Sequence, residues 1–204
     1  GGIRNASATV FWPVWHYQFD DLIVLKNGQG TEETRVRHMD YGVQFNKLMY
    51  ERLLTGGDIT LFSPSDVPGL YDAFFQDQDK FRELYETAER NTRIRKKKVK
   101  AIELFSAFMQ ERKDTGRIYL LNVDHANTHS AFVEKAAPVK QSNLCCEITL
   151  PTKPLHHFFD EEGEISLCTL SAINWCNVKE PEDFAKMCDL AVRALDELLD
   201  YQSY

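Results

Sequence analysis

The sequence predicts an α/β fold with mostly parallel strand pairing. Apolar extended runs alternate with segments of helical periodicity along all 204 residues, and that alternation is what builds parallel sheets. Ile118–Val123 is almost continuously apolar, as expected of a strand covered on both faces. No internal repeat, low-complexity segment or linker interrupts the chain, so residues 1–204 read as one structural unit.

The elements follow in order. Residues 1–7 are small, and Arg4 is their only charge. Their Gly-Gly pair lets backbone come close to a ligand, or reads as a frayed terminus. Ala8–Trp15 is a buried strand ending near Pro13. His16–Lys26 is a short amphipathic helix, closed by Asn27-Gly28 and Gly30. Val36-Arg37-His38-Met39 leads into a helix. Its apolar positions Tyr41, Phe45, Leu48 and Met49 fall at i, i+4, i+7 and i+8, and Gly56-Gly57 stops it. Ile59–Phe62 is a short strand. Turns at Ser63–Asp66 and Pro68-Gly69 precede helices near 69–75 and 77–90.

Arg93–Lys100 carries six basic residues in eight. It reads as the solvated start of the next helix, with a phosphate or nucleic-acid site as the alternative. Ile102, Phe105 and Met109 give that helix its buried stripe, and Thr115-Gly116 closes it. Asp124–His129 is a loop. His125 and His129 have a spacing that could hold a metal on a helix, but no third ligand is placed, and hydrogen bonding within the loop is the preferred reading. His156-His157 and Asp160–Glu164 form a polar turn. Ile165–Ala172 is a strand carrying Cys168. The last helix starts at Glu180-Pro181 and presents Phe184, Cys188, Ala191, Leu195 and Leu198 as its core face.

Composition narrows the function classes. Hydrophobic content of 43% suits a packed core, and a net charge of −7 argues against a general nucleic-acid binder. No apolar run reaches transmembrane length, and no signal peptide opens the chain. The first residue is Gly rather than Met, which suits a piece of a longer chain. Five cysteines stand at 145, 146, 168, 176 and 188 without a C-x-x-C pair. An odd count without a signal argues against a secreted disulfide scaffold and for reduced, cytoplasmic thiols.

The stretch Gln141–Pro151 carries the chemistry. It reads as extended, and Pro151 ends it. Alternation would put Asn143, Cys145 and Glu147 on one face and Leu144, Cys146 and Ile148 on the other. The first face offers an amide, a thiol and a carboxylate. By spacing alone, a core strand with a polar wet side is the preferred reading.

Asn143-Leu144-Cys145-Cys146-Glu147, set between Pro138–Ser142 and Ile148–Pro154, resembles the finger loop of the large (catalytic) subunit of class I ribonucleotide reductase. Other stretches resemble the same subunit in the same order: Gly1–Arg4, Val36–Val43, Leu61–Pro64, Asp66–Tyr71, Asn122–His125 and Leu167–Ser171. The resemblance runs end to end but covers only the middle of that longer subunit. It implies part of a ten-stranded α/β barrel made of two half-barrels, with the finger threading its centre.

The resemblance also implies a reaction. A ribose 2′-hydroxyl is hard to replace by hydrogen ionically, because hydroxide leaves poorly. Removing the 3′-hydrogen as an atom makes loss of water at the 2′ carbon easy. In this reading Cys145 is the thiyl radical site, Glu147 the base for the 3′-hydroxyl, and Asn143 a hydrogen bonder of the substrate. Cys168 is one of the two reducing thiols. Arg4, Ser142, Asn143 and Glu147 are implied as substrate-binding residues. A carboxylate is ionised at neutral pH and can accept a proton, and a thiol remains mostly protonated, as a hydrogen-atom donor should be. Cys146 departs from the apolar residue usual beside the radical cysteine, and neither it nor Cys176 is assigned a role.

The implied substrate is a ribonucleoside diphosphate, reduced for DNA synthesis. No cofactor is expected on the chain itself, and no metal site is assigned to it. A metal-containing small subunit would supply the radical, thioredoxin or glutaredoxin the electrons, and nucleoside triphosphates the allosteric control. The intact large subunit is expected as a homodimer, with no membrane and no direct nucleic-acid contact. An alternative is a non-catalytic piece of a split reductase, active only when assembled with other fragments.

Overall fold

The computed structural model describes residues 7–201; Arg4 lies outside them. Contacts divide the chain into a unit ending at Ser166 and a second running from Leu167.

In the first unit, β1 (Thr9–Pro13), β2 (Asp40–Phe45) and β5 (Ile118–Asn122) form a parallel sheet in the order β1-β2-β5. In register, Phe11 and Tyr119 flank Gly42, and Pro13 and Leu121 flank Gln44. A second sheet pairs β3 (Asp58–Phe62) with β4 (Lys96–Lys100) antiparallel. The chain leaving β1 also runs beside β3. Phe62 N–H donates to the Trp15 carbonyl at 2.8 Å, and Tyr17 N–H to the Phe62 carbonyl at 2.7 Å. Helices α1 (Phe19–Ile23), α2 (Lys47–Leu54), α3 (Leu70–Gln76), α4 (Gln78–Arg90), α5 (Ala101–Thr115) and α6 (Val123–Thr128) complete this unit.

The mixed α/β prediction holds, but several elements differ from those expected. Residues 40–45 form the central strand rather than a helix. All six are buried, because β1 and β5 cover both edges of β2 and other elements cover its two faces. The helix begins only at Lys47, whose N–H donates to Asp124 Oδ2 at 2.8 Å. That bond occupies one of the amides a helix start leaves unpaired. Strand β5 is only partly covered, with Ile118 and Leu121 buried and the residues between them half-exposed.

The basic run is a strand, not a helix start. Pairing with β3 separates like charges that a helix would crowd together. Lys98 and Lys100 reach Asp58 at 3.8 and 2.7 Å. Arg95 and Lys97 lie against the ring of Tyr17. Lys96 Nζ donates to the carbonyls of Ala88, Glu89 and Asn91 at the end of α4, where a helix dipole favours a cation. Helix α5 then buries Ala101, Leu104, Phe105 and Phe108. Of the expected stripe only Phe105 is buried; Ile102 and Met109 are more than half exposed.

Aromatic side chains dominate the core. Trp15 meets Phe74 edge-on, and Phe62 meets Tyr85 in the same way. Tyr85 is fully buried. Its hydroxyl accepts from Thr60 N–H at 2.7 Å and donates to the Thr60 carbonyl at 2.8 Å. No helix among the described residues is long and apolar enough to cross a membrane.

In the second unit, α7 (Pro181–Asp200) carries proline in its first turn as expected. Trp175 stacks on Phe184 with ring centroids 4.6 Å apart. Phe184, Cys188, Ala191 and Leu195 are half-buried, Leu198 is exposed, and no residue of α7 is fully buried. Residues 165–172 do not form the expected strand. No neighbouring strand pairs with them among the described residues, and an extended segment without a ladder has no regular hydrogen bonding.

Candidate active site

Residues 139–148 cross one face of the parallel sheet, and side chains from distant elements fix the crossing. Asn127 on α6 grips Val139. Its Oδ1 accepts the Val139 N–H at 2.7 Å, and its Nδ2 donates to the carbonyls of Val139 and Val123 at 2.9 and 2.8 Å. One residue on, Gln44 Nε2 donates to the Lys140 carbonyl at 2.6 Å. Four residues further, the Thr9 hydroxyl donates to the Leu144 carbonyl.

These anchors set direction and face. Thr9 pairs with Asp40 in the β1–β2 register, and Gln44 pairs with Pro13. The segment therefore enters over the C-terminal ends of the strands and runs back towards their N-terminal ends. Side chains alternate along a strand, so Thr9, Phe11, Gly42, Gln44 and Tyr119 share the face it crosses. The opposite face carries Tyr41, Val43 and Phe45. It packs on helices, with the Phe45 ring 5.1 Å from both Phe105 and Phe108.

Gly42 keeps the crossed face low. A Cβ there would come within 2.4 Å of the Phe11 ring, so Phe11 lies over the place where a side chain would stand. Thr9, Gln44 and Asn127 were not singled out from sequence. For Gln44 the signal is the alternation in Asp40–Phe45, where Asp40, Gly42 and Gln44 carry no apolar side chain; Thr9 and Asn127 have no such local signal.

The tip is a tight turn, not the expected extended strand. Cys146 N–H donates to the Asn143 carbonyl at 3.1 Å. Asn143 Oδ1 accepts the Ile148 N–H at 3.0 Å, and the Ser142 hydroxyl donates to the Ile148 carbonyl at 2.6 Å. An Asn side chain that serves local backbone in this way offers the chain an alternative to a ladder.

The turn brings Ser142, Asn143, Cys145 and Glu147 into one loop but sorts them by burial. Ser142 and Asn143 are buried, while Cys145 and Glu147 are exposed. Asn143 thus leaves the face expected for it. Cys146 is half-buried and packs against the core cluster, whereas Ile148, expected beside it, is exposed. Loss of hydration pushes the Cys146 thiol pKa up. A Ser142 hydrogen bond opposes this shift, and the Glu147 charge adds to it.

Tyr119 stands on the crossed face. Partial burial raises its phenol pKa, with the negative charge of Asp40 and a smaller contribution from Cys145 acting in the same direction. Asp40 is itself buried and bridged to Lys26 at 2.9 Å and Arg117 at 3.5 Å.

The remaining expected site residues fall elsewhere. Cys168 is half-buried in an irregular stretch of the second unit, and Arg4 is outside the described residues. His125 lies on helix α6 and His129 caps it, correcting the expected loop; their rings are 5.3 Å apart. The described residues contain no group of three His, Cys, Asp or Glu that could hold a metal.

Comparison with known proteins gives one consistent result. Residues 1–204 match the family described as "Ribonucleotide reductase, barrel domain". The chain is 62% identical over its whole length to the ribonucleoside-diphosphate reductase subunit alpha of Haemophilus influenzae, and covers 27% of that protein. It is 66% identical over 156 residues, 76% of the chain, to the ribonucleoside-diphosphate reductase 1 subunit alpha of Escherichia coli K12, covering 20% of it. The alpha subunit of Enterobacteria phage T4 is 50% identical over 207 aligned residues, which take in all of the chain and 27% of the phage protein. The chain therefore spans about a quarter of the length of these relatives.

Proposed function

The chain belongs to the ribonucleotide reductase barrel-domain family, and on that premise we propose that it is the catalytic core of a class I ribonucleoside-diphosphate reductase large subunit. Its 204 residues are one piece of the α/β barrel. Strands β1, β2 and β5 contribute to one half-barrel, and residues 139–148 are the finger.

One observation carries this reading. A segment held by Asn127, Gln44 and Thr9 runs along the face of the sheet away from α2 and α5. It ends in a turn that presents Cys145 and Glu147 outward. A loop inside a barrel must approach the sheet from that face, because helices cover the other.

In the proposed reaction Cys145, as a thiyl radical, takes the 3′-hydrogen atom of a ribonucleoside diphosphate. Glu147 accepts the 3′-hydroxyl proton, the 2′-hydroxyl leaves as water with a proton from the reducing thiol pair, and Cys145 afterwards returns the hydrogen atom to the 3′ carbon. Asn143 Nδ2 is buried without a hydrogen-bond partner among the described residues, and a substrate hydroxyl would satisfy it. Ser142 and Arg4 add substrate contacts. Cys168 supplies one of the two reducing equivalents, and thioredoxin or glutaredoxin restores it. A metal-containing small subunit generates the radical in the cytoplasm, and nucleoside triphosphates regulate the homodimeric large subunit.

The test is Cys145→Ser in the complete reductase that contains these residues. Reduction should be abolished while ribonucleoside diphosphate binding, measured by equilibrium dialysis, stays near normal. Residual turnover above about a few per cent would overturn the assignment, because a hydroxyl cannot substitute for the sulfur in hydrogen-atom transfer.

A further inference from the structure

The finger tip turns on a residue in a backbone conformation that L-amino acids avoid. Cys146 has φ 65°, the one positive φ at a non-glycine position among the described residues. In this left-handed region Cβ crowds the following carbonyl, most severely for β-branched side chains.

The surrounding bonds show what this conformation achieves. Cys146 N–H closes a four-residue turn onto the Asn143 carbonyl at 3.1 Å. Two residues later the chain lies back alongside its entry. Asn143 N–H donates to the Ile148 carbonyl at 3.3 Å, and Ile148 N–H to Asn143 Oδ1 at 3.0 Å. Between these ties Cys145 and Glu147 are exposed, while Cys146 is half-buried against the core. A residue with negative φ at 146 would carry the chain straight on. Asn143 and Ile148 would then separate, and the turn that leaves Cys145 and Glu147 exposed would open.

We infer that Cys146 is a positioning residue whose left-handed backbone, rather than its thiol, aims Cys145 and Glu147 outward from the finger tip. The inference rests on the proposed role of Cys145. It makes backbone tolerance, not sulfur chemistry, the property that position 146 requires. Glycine adopts positive φ without penalty, alanine with a modest one and valine with a severe one.

The experiment compares Cys146→Gly, Cys146→Ala and Cys146→Val by two readouts. The first is amide hydrogen exchange at residues 146 and 148 in this chain, which reports the turn directly. Exchange is expected to be about tenfold faster in the valine variant than in the glycine variant. The second is steady-state kinetics in the complete reductase. There kcat of the glycine variant should exceed that of the valine variant by about tenfold, with alanine between them and KM within about threefold throughout. A general loss of folding would not produce this order.

Equal exchange rates in the glycine and valine variants would overturn the inference. So would equal loss of kcat in all three, since that pattern belongs to the missing thiol. A parental enzyme without reductase activity would count against the functional reading instead, and the exchange rates would still decide the role of the turn.

Discussion

Asn127 holds both backbone groups of Val139. Its Oδ1 takes the amide hydrogen at 2.7 Å, and its Nδ2 reaches the carbonyl at 2.9 Å. The two residues are buried, and the grip ties the start of the 139–148 segment to α6. Asn127→Ala would strand a buried donor and a buried acceptor. Each such group costs about 1–3 kcal/mol. The expected result is a loss of about 2–4 kcal/mol, read from the urea midpoint of this chain. A loss below about 0.5 kcal/mol would show that the grip does not hold the stem.

Gly42→Ala tests the low face under residues 139–148. The added Cβ would meet the Phe11 ring at 2.4 Å, and overpacking of this kind costs about 1–3 kcal/mol. Combining it with Phe11→Ala should recover part of that cost, because the clash needs both groups. Thermal melts of the two single variants and the double variant give the coupling. Strict additivity would mean that Phe11 does not lie over Gly42.

Tyr85 makes stability depend on alkaline pH. Its phenol pKa is raised far above the ordinary value of 10, first by burial and then by the charge of Glu89. A raised folded-state pKa means that the folded protein holds the proton more tightly than the unfolded chain does. The contribution is therefore fully present below about pH 10 and is lost as pH rises towards the folded value, at about 1.4 kcal/mol per unit. In denaturant titrations between pH 9 and pH 11.5, Tyr85→Phe should remove most of this slope. It should also lower stability at neutral pH, because the buried Thr60 N–H loses its acceptor. An unchanged alkaline slope would assign it to other tyrosines.

The 40–49 region shows where sequence reading fails. Tyr41, Phe45, Leu48 and Met49 satisfy a helical spacing, and all four are buried, yet a strand supplies the first two and a helix the last two. A short apolar run cannot declare its own period. The charges of residues 95–100 misled for a related reason. Their partners Asp58, Asp66, Asp20 and the end of α4 meet them only after folding.

The sequence by itself determined the family and the chemical inventory of residues 143–147. Long matches in one order identify both, and the side chains Asn143, Cys145 and Glu147 are present whatever the backbone does. It also determined the helices α4 and α7, whose signals are local, although the side chains expected as the core face of α7 are only half-buried or exposed. Only the tertiary structure decided that 40–45 and 96–100 are strands, which face of the sheet residues 139–148 cross, and that residues 143–146 form a turn. The decisive bonds join residues far apart in the chain, 96 positions for Gln44 with Lys140 and 135 for Thr9 with Leu144. Local periodicity contains no information about such partners. The burial that overrides helical spacing exists only once the two neighbouring strands and the covering helices have packed around β2.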